Sequence, residues 1–276
     1  MKLGCTMYSF NRPARAGQAT IESFLDYCGE IGLDGVDLLS YYWTDQAAEI
    51  EQIPGWLHRN HLGLAAYAVG NNFVQADPEL RAAQVQVVKD GIDVAGRLGA
   101  PVLRVFGGSR PRAGSGVTSM EEALQMATDG LGACVSSAAR AGVVLGVENH
   151  GGVPGTAAEV GRVLGTINSP FVRCTLDTGN FLGVGDDPVT ATREVASWVS
   201  HVHLKDVRSS TAADGVTQRE NVPLGDGSIA LAEIFQILHD IHYDGYVSIE
   251  YEGQADPRAS VKRGAEHVRR LLQELV

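Results

Sequence analysis

The stretch Val143-Val-Leu-Gly-Val-Glu-Asn-His150 joins a short apolar run to a polar end. A run of this length, bounded by a glycine before it and by polar residues after it, is typical of a buried strand. Successive side chains of a strand point to opposite faces, so Glu148 shares its face with Gly146 and lies opposite Val147. The stretch therefore predicts a buried strand that carries a carboxylate at its C-terminal end.

The same kind of run recurs along the whole chain and alternates with segments of helical period. One example is an apolar helix face formed at spacings of three and four residues by Ile21, Phe24, Leu25 and Cys28. Strands that alternate with helices predict βα units, and eight strands are the number that closes a barrel. We predict the α/β class, with a single (β/α)8 TIM barrel forming one domain over residues 1–276. The eight predicted strands are Leu3–Ser9, Gly35–Leu39, Leu62–Val69, Val102–Phe106, Val143–Glu148, Val172–Asp177, His201–Lys205 and Val247–Glu250.

Local signals mark where several helices begin and end. A Thr-x-x-Glu pair or an Asp-Pro pair predicts a helix start, because the first side chain accepts hydrogen bonds from free backbone N–H groups. A glycine between a helix and the next strand predicts a left-handed helix end. The predicted starts are Thr118 with Glu121, Thr156 with Glu159, Asp77-Pro78 and Asp256-Pro257, and the predicted ends are Gly32, Gly99, Gly142 and Gly245.

Composition limits the partners that this protein can bind. The formal net charge is -11, from 22 Lys and Arg against 33 Asp and Glu. Nucleic acid and anionic membranes both need a basic face, so we expect neither as a partner and expect a small sugar or polyol instead. The four cysteines are scattered without a C-x-x-C pair, and we interpret them as small buried residues. The N-terminus has no apolar secretory segment, so we expect a cytoplasmic protein, and a homo-oligomer stays open.

Four of the predicted strands end in side chains that bind metals. Glu148, Asp177, His203 and Glu250 lie at the ends of predicted strands five to eight. Active sites of barrels lie at this end of the strands, and period-two alternation turns all four side chains inward. A lone glutamate at a strand end is more often solvated or paired with a helix dipole. Four such residues on consecutive strands predict a shared site.

Charge repulsion explains why that site would contain an ion. Three carboxylates that meet in a dry barrel mouth repel one another unless a cation compensates them. We therefore predict one divalent metal ion. The oxygen-rich donor set favours Mn²⁺, Mg²⁺ or Co²⁺, with Zn²⁺ as an alternative. Four protein ligands leave two positions of an octahedral ion open for a carbonyl and a neighbouring hydroxyl.

Five motifs resemble the xylose isomerase-like barrel superfamily, in the sugar phosphate isomerase/epimerase branch that includes tagatose 3-epimerase-like enzymes and inosose dehydratase. They occur in the order and spacing of that family, and the likeness covers nearly the whole chain. The motifs are Val147-Glu-Asn-His-Gly-Gly152, Leu176-Asp-Thr-Gly-Asn180, His201-Val-His-Leu-Lys-Asp206, Pro223-Leu-Gly-Asp-Gly227 and Ser248-Ile-Glu-Tyr-Glu252.

The resemblance implies a divalent-metal-dependent isomerase or epimerase of a small sugar or keto-polyol. It assigns the metal to Glu148, Asp177, His203 and Glu250. It also implies that Glu148 and Glu250 are the catalytic pair, one removing a proton and the other returning it on the opposite face of an enediolate. The residues that it places against the substrate are His150, Asn180, Arg104 and Lys205.

Two departures from the family pattern favour an alternative reaction. Ketose 3-epimerases have a further Glu and a further Arg where this chain has Pro154 and Ser209. Arg208 lies one position early and is a candidate substitute for that Arg. The run from His203 to Arg208 is closer to inosose dehydratase, in which the same enolate expels a hydroxyl as water. A lyase, either of this type or one that eliminates from a 3-keto-glycoside, is therefore the alternative to an isomerase.

Two further functions are alternatives to an isomerase and to a lyase. An endonuclease of the apurinic-site type shares the fold but needs three zinc ions and a basic track, which the acidic balance opposes. A non-catalytic sugar sensor is a fourth hypothesis, and intact ligands argue against it.

Several residues near the site have alternative roles. His201 is predicted to be a buried core histidine beneath the site, and Lys205 has an alternative role as the partner of Asp37 or Glu252. The candidates for an apolar wall against a sugar ring are Tyr41, Tyr42, Trp43, Asn71, Asn72 and Phe73.

Overall fold

The computed structural model describes residues 1–211 and 217–275. Eight parallel strands form a closed barrel, which confirms the predicted fold. The barrel strands are β1 (Lys2–Thr6), β2 (Gly35–Leu39), β3 (Gly63–Ala68), β4 (Val102–Val105), β5 (Val144–Glu148), β6 (Val172–Asp177), β7 (Val199–Leu204) and β10 (Tyr246–Ile249), and a separate antiparallel hairpin is formed by β8 (Asp206–Thr211) and β9 (Thr217–Val222).

Helices surround the barrel and cover the outward faces of its strands. Going around the barrel, the strand order is β1-β10-β7-β6-β5-β4-β3-β2, so β5, β6, β7 and β10 are consecutive neighbours. The helices of the described chain are α1 (Asn11–Arg15), α2 (Ile21–Glu30), α3 (Gln46–Arg59), α4 (Pro78–Leu98), α5 (Met120–Gly132), α6 (Val135–Ala141), α7 (Ala157–Ile167), α8 (Asn180–Val184), α9 (Pro188–Val195), α10 (Leu231–Asp240) and α11 (Pro257–Glu274).

The hydrophobic core lies between the outer faces of the strands and the helices. The predicted apolar stripe of α2 is confirmed, because Ile21, Phe24, Leu25 and Cys28 are all buried. Leu145 and Val147 of β5 are buried on the face opposite Glu148. The outward faces therefore hold the helices, and the inward faces are free to carry polar groups.

Most of the predicted helix boundaries agree with the structure. Asp77 and Asp256 cap α4 and α11, and Thr156 forms a complete capping box with Glu159 at the start of α7. The prediction for α5 is wrong by one residue, because Ser119 caps Glu122 while Thr118 donates to the Glu122 carboxylate.

The predicted left-handed positions are correct at three of the four glycines. Gly32, Gly99 and Gly142 have φ angles of 67°, 74° and 67°. Gly245 does not have a positive φ, because the chain after α10 turns at His242 instead, with a φ of 56°. No helix of the described residues is both long and apolar enough to cross a membrane.

Candidate metal centre

Four predicted ligand residues meet at the C-terminal rim of the barrel. Glu148 and Asp177 are the last residues of β5 and β6, His203 is next to last in β7, and Glu250 follows β10. One ligand atom from each residue lies within 4.8 Å of the others. All four side chains are buried. The cluster forms because their strands are consecutive around the barrel.

Unpartnered polar atoms point into this cluster. Asp177 Oδ2, His203 Nδ1 and Glu250 Oε2 are buried and have no hydrogen-bond partner. His203 Nδ1 lies 3.5 Å from Glu148 Oε1 and 3.4 Å from Glu250 Oε2. Leaving a buried polar atom unpaired costs about 1–3 kcal/mol. A cation would satisfy all three at once.

The spacing of these atoms fits one octahedral ion. Bonds of about 2.1 Å place neighbouring ligands about 3 Å apart and opposite ligands about 4.2 Å apart. The separations of 3.4 and 3.5 Å lie inside that interval, and the limit of 4.8 Å lies slightly above it. Three carboxylates and an imidazole are also a suitable donor set for Mn²⁺, Mg²⁺ or Co²⁺. The residues present therefore fit a divalent metal.

The pKa values of two carboxyl groups in this cluster shift in opposite directions. Burial raises the pKa of Asp177 to about 8, and the nearby Glu250 and Glu148 carboxylates add to this effect against Lys205. Burial also raises the pKa of Glu148, but His203 and Arg104 outweigh it and hold that pKa at about 2. In the metal-free protein, burial and the neighbouring carboxylates thus favour the protonated form of Asp177.

Lys205 is a buried cation beside this cluster. Its Nζ lies 3.1 Å from Asp177 Oδ2, 3.0 Å from Glu250 Oε2 and 2.7 Å from Glu252 Oε1. All three contacts are ion pairs, and Nζ also donates a hydrogen bond to Asn180 Oδ1. Burial lowers the pKa of Lys205, but the surrounding carboxylates raise it well above its usual value. From the sequence, Asp37 and Glu252 are alternative partners of Lys205. The structure pairs Lys205 with Glu252 and not with Asp37.

A cavity of about 280 Å³ opens over the cluster. This volume is near the lower end of the range for small-molecule sites, about 300–1,000 Å³. Larger hollows of about 760 and 450 Å³ lie elsewhere, between α1 and α11 and between α4 and α5, and neither is lined by the four clustered residues. The residues that line the cavity are Tyr8, Arg15, Tyr41, Arg104, Phe106, Glu148, His150, Lys205, Glu250 and Glu252.

Four of the five predicted substrate-contacting residues lie beside the cluster. Arg104 Nε is 3.3 Å from Glu148 Oε2, and its guanidinium carbon lies 4.1 Å from the centroid of the Phe106 ring. Asn180 Nδ2 donates to Glu148 Oε1 at 3.3 Å, while its Oδ1 accepts a hydrogen bond from Lys205 at 3.4 Å. His150 packs its ring 4.8 Å from that of Phe106.

Arg208 is the predicted residue that the structure does not bring into the cavity. It lies on the hairpin, where it contacts the Glu220 carboxylate at 3.5 Å and the Asp226 carbonyl at 3.3 Å, and its side chain is 54% exposed. Because β8 leaves the barrel immediately after Lys205, the side chain follows the hairpin. In this structure Arg208 therefore does not line the cavity.

The predicted apolar wall differs from the one in the structure. Tyr41 lines the cavity, but Tyr42, Trp43, Asn71, Asn72 and Phe73 do not. Phe73 is instead buried in the hydrophobic core. The other aromatic rings at the cavity are Tyr8, two residues after β1, and Phe106, directly after β4. Both residues lie at the C-terminal ends of the predicted strands Leu3–Ser9 and Val102–Phe106, and this position is the signal by which the sequence could have identified them.

Comparison with known proteins agrees with this barrel. The chain belongs to the xylose isomerase-like TIM barrel family, whose model matches residues 25–271. It is 28% identical over 143 residues to an inosose dehydratase of Clostridium perfringens (strain ATCC 13124), a match that covers 48% of each protein. The match therefore spans about half the length of this curated relative.

Solved structures share the whole fold at lower identity. A D-tagatose 3-epimerase-like protein superposes with a TM-score of 0.78 at 21% identity, and the match covers 100% of both chains. A xylose isomerase-like TIM barrel protein from Mycobacterium smegmatis, solved in complex with magnesium, superposes with a TM-score of 0.79 at 16% identity and covers 99% of this chain and 97% of that one. At these identities the likeness shows the fold.

Proposed function

We propose that this protein is a divalent-metal-dependent isomerase or epimerase that moves a proton next to the carbonyl group of a small sugar or keto-polyol. One observation carries the proposal: three buried, unpartnered ligand atoms face one another beneath a cavity at the C-terminal rim of the barrel. Barrel enzymes have their active sites at this rim.

Glu148, Asp177, His203 and Glu250 would hold the ion. Manganese, magnesium and cobalt suit this donor set, with zinc as an alternative, and the magnesium complex of the Mycobacterium smegmatis protein supports a hard cation. When bound, the ion supplies Lewis-acid polarisation of a carbonyl and its neighbouring hydroxyl. The same donor set matches the ligands that the family resemblance implies.

The two glutamates provide the proton transfer. The pKa values of Glu148 and Glu250 are both held below the usual range, so both carboxylates are ionised at neutral pH and can accept a proton. One carboxylate takes the proton from the substrate carbon, and the electron pair of the C–H bond moves onto the carbonyl oxygen to give an enediolate. The other glutamate, after taking up a proton from water, returns it to the opposite face of the same carbon, which inverts that carbon. Return of a proton to the neighbouring carbon instead moves the carbonyl.

The cavity walls suit a sugar-sized ligand. Tyr8, Tyr41 and Phe106 offer aromatic surfaces for the apolar face of a ring. His150 and Arg15 place polar groups at the same cavity, where they can bind hydroxyls. Specific binding of a sugar needs both kinds of contact, because a sugar ring has apolar C–H faces and a polar edge.

Glu250→Gln tests the combined role of this carboxylate as a proposed metal ligand and as a base. Protein loaded with Mn²⁺ is incubated in D₂O with a panel of ketoses and inososes, and deuterium entering carbon-bound positions is measured by mass spectrometry. We expect the variant to lose about 10²- to 10⁴-fold in exchange rate while it keeps its fold. Glu233→Gln, a substitution on the exposed face of α10, is the matched control. Exchange at the control rate in Glu250→Gln would refute the role of this carboxylate.

A metal-dependent lyase is the second candidate. It is favoured by the inosose dehydratase relatives and by Pro154 and Ser209 at the offsets of the epimerase Glu and Arg. Elimination would use the same proton removal but would then expel a hydroxyl from the adjacent carbon as water. The product mass separates the two candidates, because epimerisation conserves the mass and elimination lowers it by one water.

A further inference from the structure

A second group of buried polar residues lies directly beneath the metal cluster. Asp37, in the middle of β2, is 1% exposed and reaches across the barrel interior. Its Oδ2 lies 2.9 Å from His201 Nε2 and 3.2 Å from His203 Nε2, and its Oδ1 accepts a hydrogen bond from Ser248 Oγ at 2.9 Å. These three partners come from β7 and β10, so one carboxylate connects three strands.

The contact with Asp37 favours one orientation and one tautomer of the His203 ring. A histidine that binds a metal ion is neutral, so it carries a proton on one ring nitrogen and a lone pair on the other. Asp37 is an acceptor beside Nε2, so the proton is favoured at Nε2 and the lone pair at Nδ1. Nδ1 is the atom that faces Glu148 and Glu250 without a hydrogen-bond partner.

We propose that Asp37 is a positioning residue that fixes the ring orientation and the tautomer of His203, so that Nδ1 faces the cluster as a ligand. The inference rests on the proposed metal site. A carboxylate that accepts the second N–H of a metal-binding histidine both orients the ring and strengthens it as a ligand. Asp37 thereby contributes to ion binding without touching the ion.

A competing interpretation is that Asp37, His201 and His203 hold a second ion themselves, since their ligand atoms also lie close together. The pattern of unpartnered atoms opposes it. In the described chain, no side-chain atom of Asp37 or His201 is buried without a hydrogen-bond partner. The unpartnered atom of His203 is Nδ1, which lies on the side of the other cluster. The lower group is therefore internally satisfied, whereas the upper group is not.

Asp37→Asn tests the proposal by metal affinity. The amide has nearly the shape of the carboxylate but has one acceptor oxygen in place of two, and it carries no charge. Titration calorimetry with Mn²⁺ on chelator-treated protein should show a loss of affinity of about 10- to 100-fold. Ser248→Ala is the control, because it removes a neighbouring hydrogen bond to Asp37 and leaves both histidine contacts. We expect the control to change the affinity far less than Asp37→Asn does.

Each result of the titration has one meaning. Wild-type affinity in Asp37→Asn overturns the positioning role and leaves the proposed metal site intact. The wild-type chain could instead bind two ions, of which Asp37→Asn loses one and binds the other normally. That result overturns the positioning role in favour of a second ion. No binding by the wild-type protein refutes the metal site and the inference together.

A second measurement does not depend on whether Asp37→Asn folds. In wild-type protein loaded with diamagnetic Mg²⁺ and labelled with ¹⁵N-histidine, long-range ¹H–¹⁵N correlation spectra report which ring nitrogen carries the proton. We expect the proton of His203 on Nε2. A proton on Nδ1 would overturn the proposal.

Discussion

At the scale of single residues, Asp177 combines a hydrogen-bonded carboxylate oxygen with a buried one that has no hydrogen bond. Its Oδ1 accepts hydrogen bonds from the backbone N–H groups of Gly179 and Asn180, at 2.8 and 2.9 Å. Its Oδ2 is buried without a hydrogen bond, and burial raises the pKa of the carboxyl to about 8. Oδ1 therefore fixes the loop after β6, while Oδ2 has no hydrogen bond and is free to bind the proposed metal ion.

Asp177→Asn should stabilise the metal-free protein near neutral pH. An acid whose pKa is raised on folding binds a proton more tightly in the folded state, so its contribution to stability falls as pH rises from the unfolded pKa of about 4 towards 8. The amide keeps the Oδ1 contacts and carries no charge, which should raise the free energy of unfolding at pH 8 by roughly 1–3 kcal/mol. Urea unfolding in the presence of a chelator measures the difference.

The same variant should lose tight Mn²⁺ binding, since an amide is a weaker ligand than a carboxylate. At pH 5, the wild-type carboxyl is largely protonated in the folded state, so the stability gain should shrink. A variant that is less stable than wild type at pH 8 would show that the ion pair with Lys205 already compensates the Asp177 charge.

Single residues also show where sequence reasoning reaches its limit. Period-two alternation predicted that Glu148, Asp177, His203 and Glu250 face inward, and the structure brings them together. Asp37 was considered only as a partner of Lys205, because its contacts with His201, His203 and Ser248 join residues 164 or more positions apart in the chain. Such contacts depend on barrel closure, which no local pattern encodes.

At the scale of elements, the hairpin formed by β8 and β9 is the feature that the sequence did not predict. The barrel strands were found because their apolar runs are buried, and β2 and β6 match their predicted limits. In β9 the first four residues are exposed, so the strand has no hydrophobic alternation to reveal it. β1 ends at Thr6 instead of Ser9, because the Thr6 side chain accepts from the Tyr8 backbone and caps a short 3-10 helix.

Asp206 anchors this hairpin to the barrel. Its buried carboxylate accepts hydrogen bonds from the backbone N–H groups of Val207, Gly225, Gly227 and Ile229, at 2.9, 2.9, 2.9 and 3.2 Å. Both carboxylate oxygens are used. One side chain therefore connects the start of β8 to the loop that follows β9, immediately beside Lys205 of the cavity.

Asp206→Asn should destabilise the protein. The amide nitrogen cannot accept hydrogen bonds, so some of these backbone N–H groups lose their partner in a buried setting, at a cost of roughly 2–3 kcal/mol. Urea unfolding at fixed metal concentration measures it. Asp226→Asn is the matched control, in the same loop, because it removes a partly exposed ion pair with Arg263 that is worth less than about 1 kcal/mol. Equal effects of the two substitutions would contradict the anchoring role.

At the scale of the whole molecule, the barrel brings together four proposed metal ligands that lie far apart in the sequence. Glu148 and Glu250 are far apart in the sequence and lie close together because β5, β6, β7 and β10 are neighbours in the closed sheet. An unfolded chain does not hold these four groups together. An ion that binds at the cluster therefore binds the folded state selectively, and its binding free energy adds to the free energy of unfolding.

Saturating Mn²⁺ should consequently raise the melting temperature of chelator-treated protein. At a free concentration of 100 times Kd the gain is about 2.7 kcal/mol, which corresponds to roughly 5–10 °C for a chain of this size. Differential scanning calorimetry over a series of Mn²⁺ concentrations gives the shift and its concentration dependence. The double variant Asp177→Asn/Glu250→Gln removes two of the four ligands and should abolish the shift, which separates binding at the cluster from weak binding to exposed carboxylates. A shift of equal size in the double variant would place the ion elsewhere on this acidic surface, and the proposed chemistry at the rim would lose its basis.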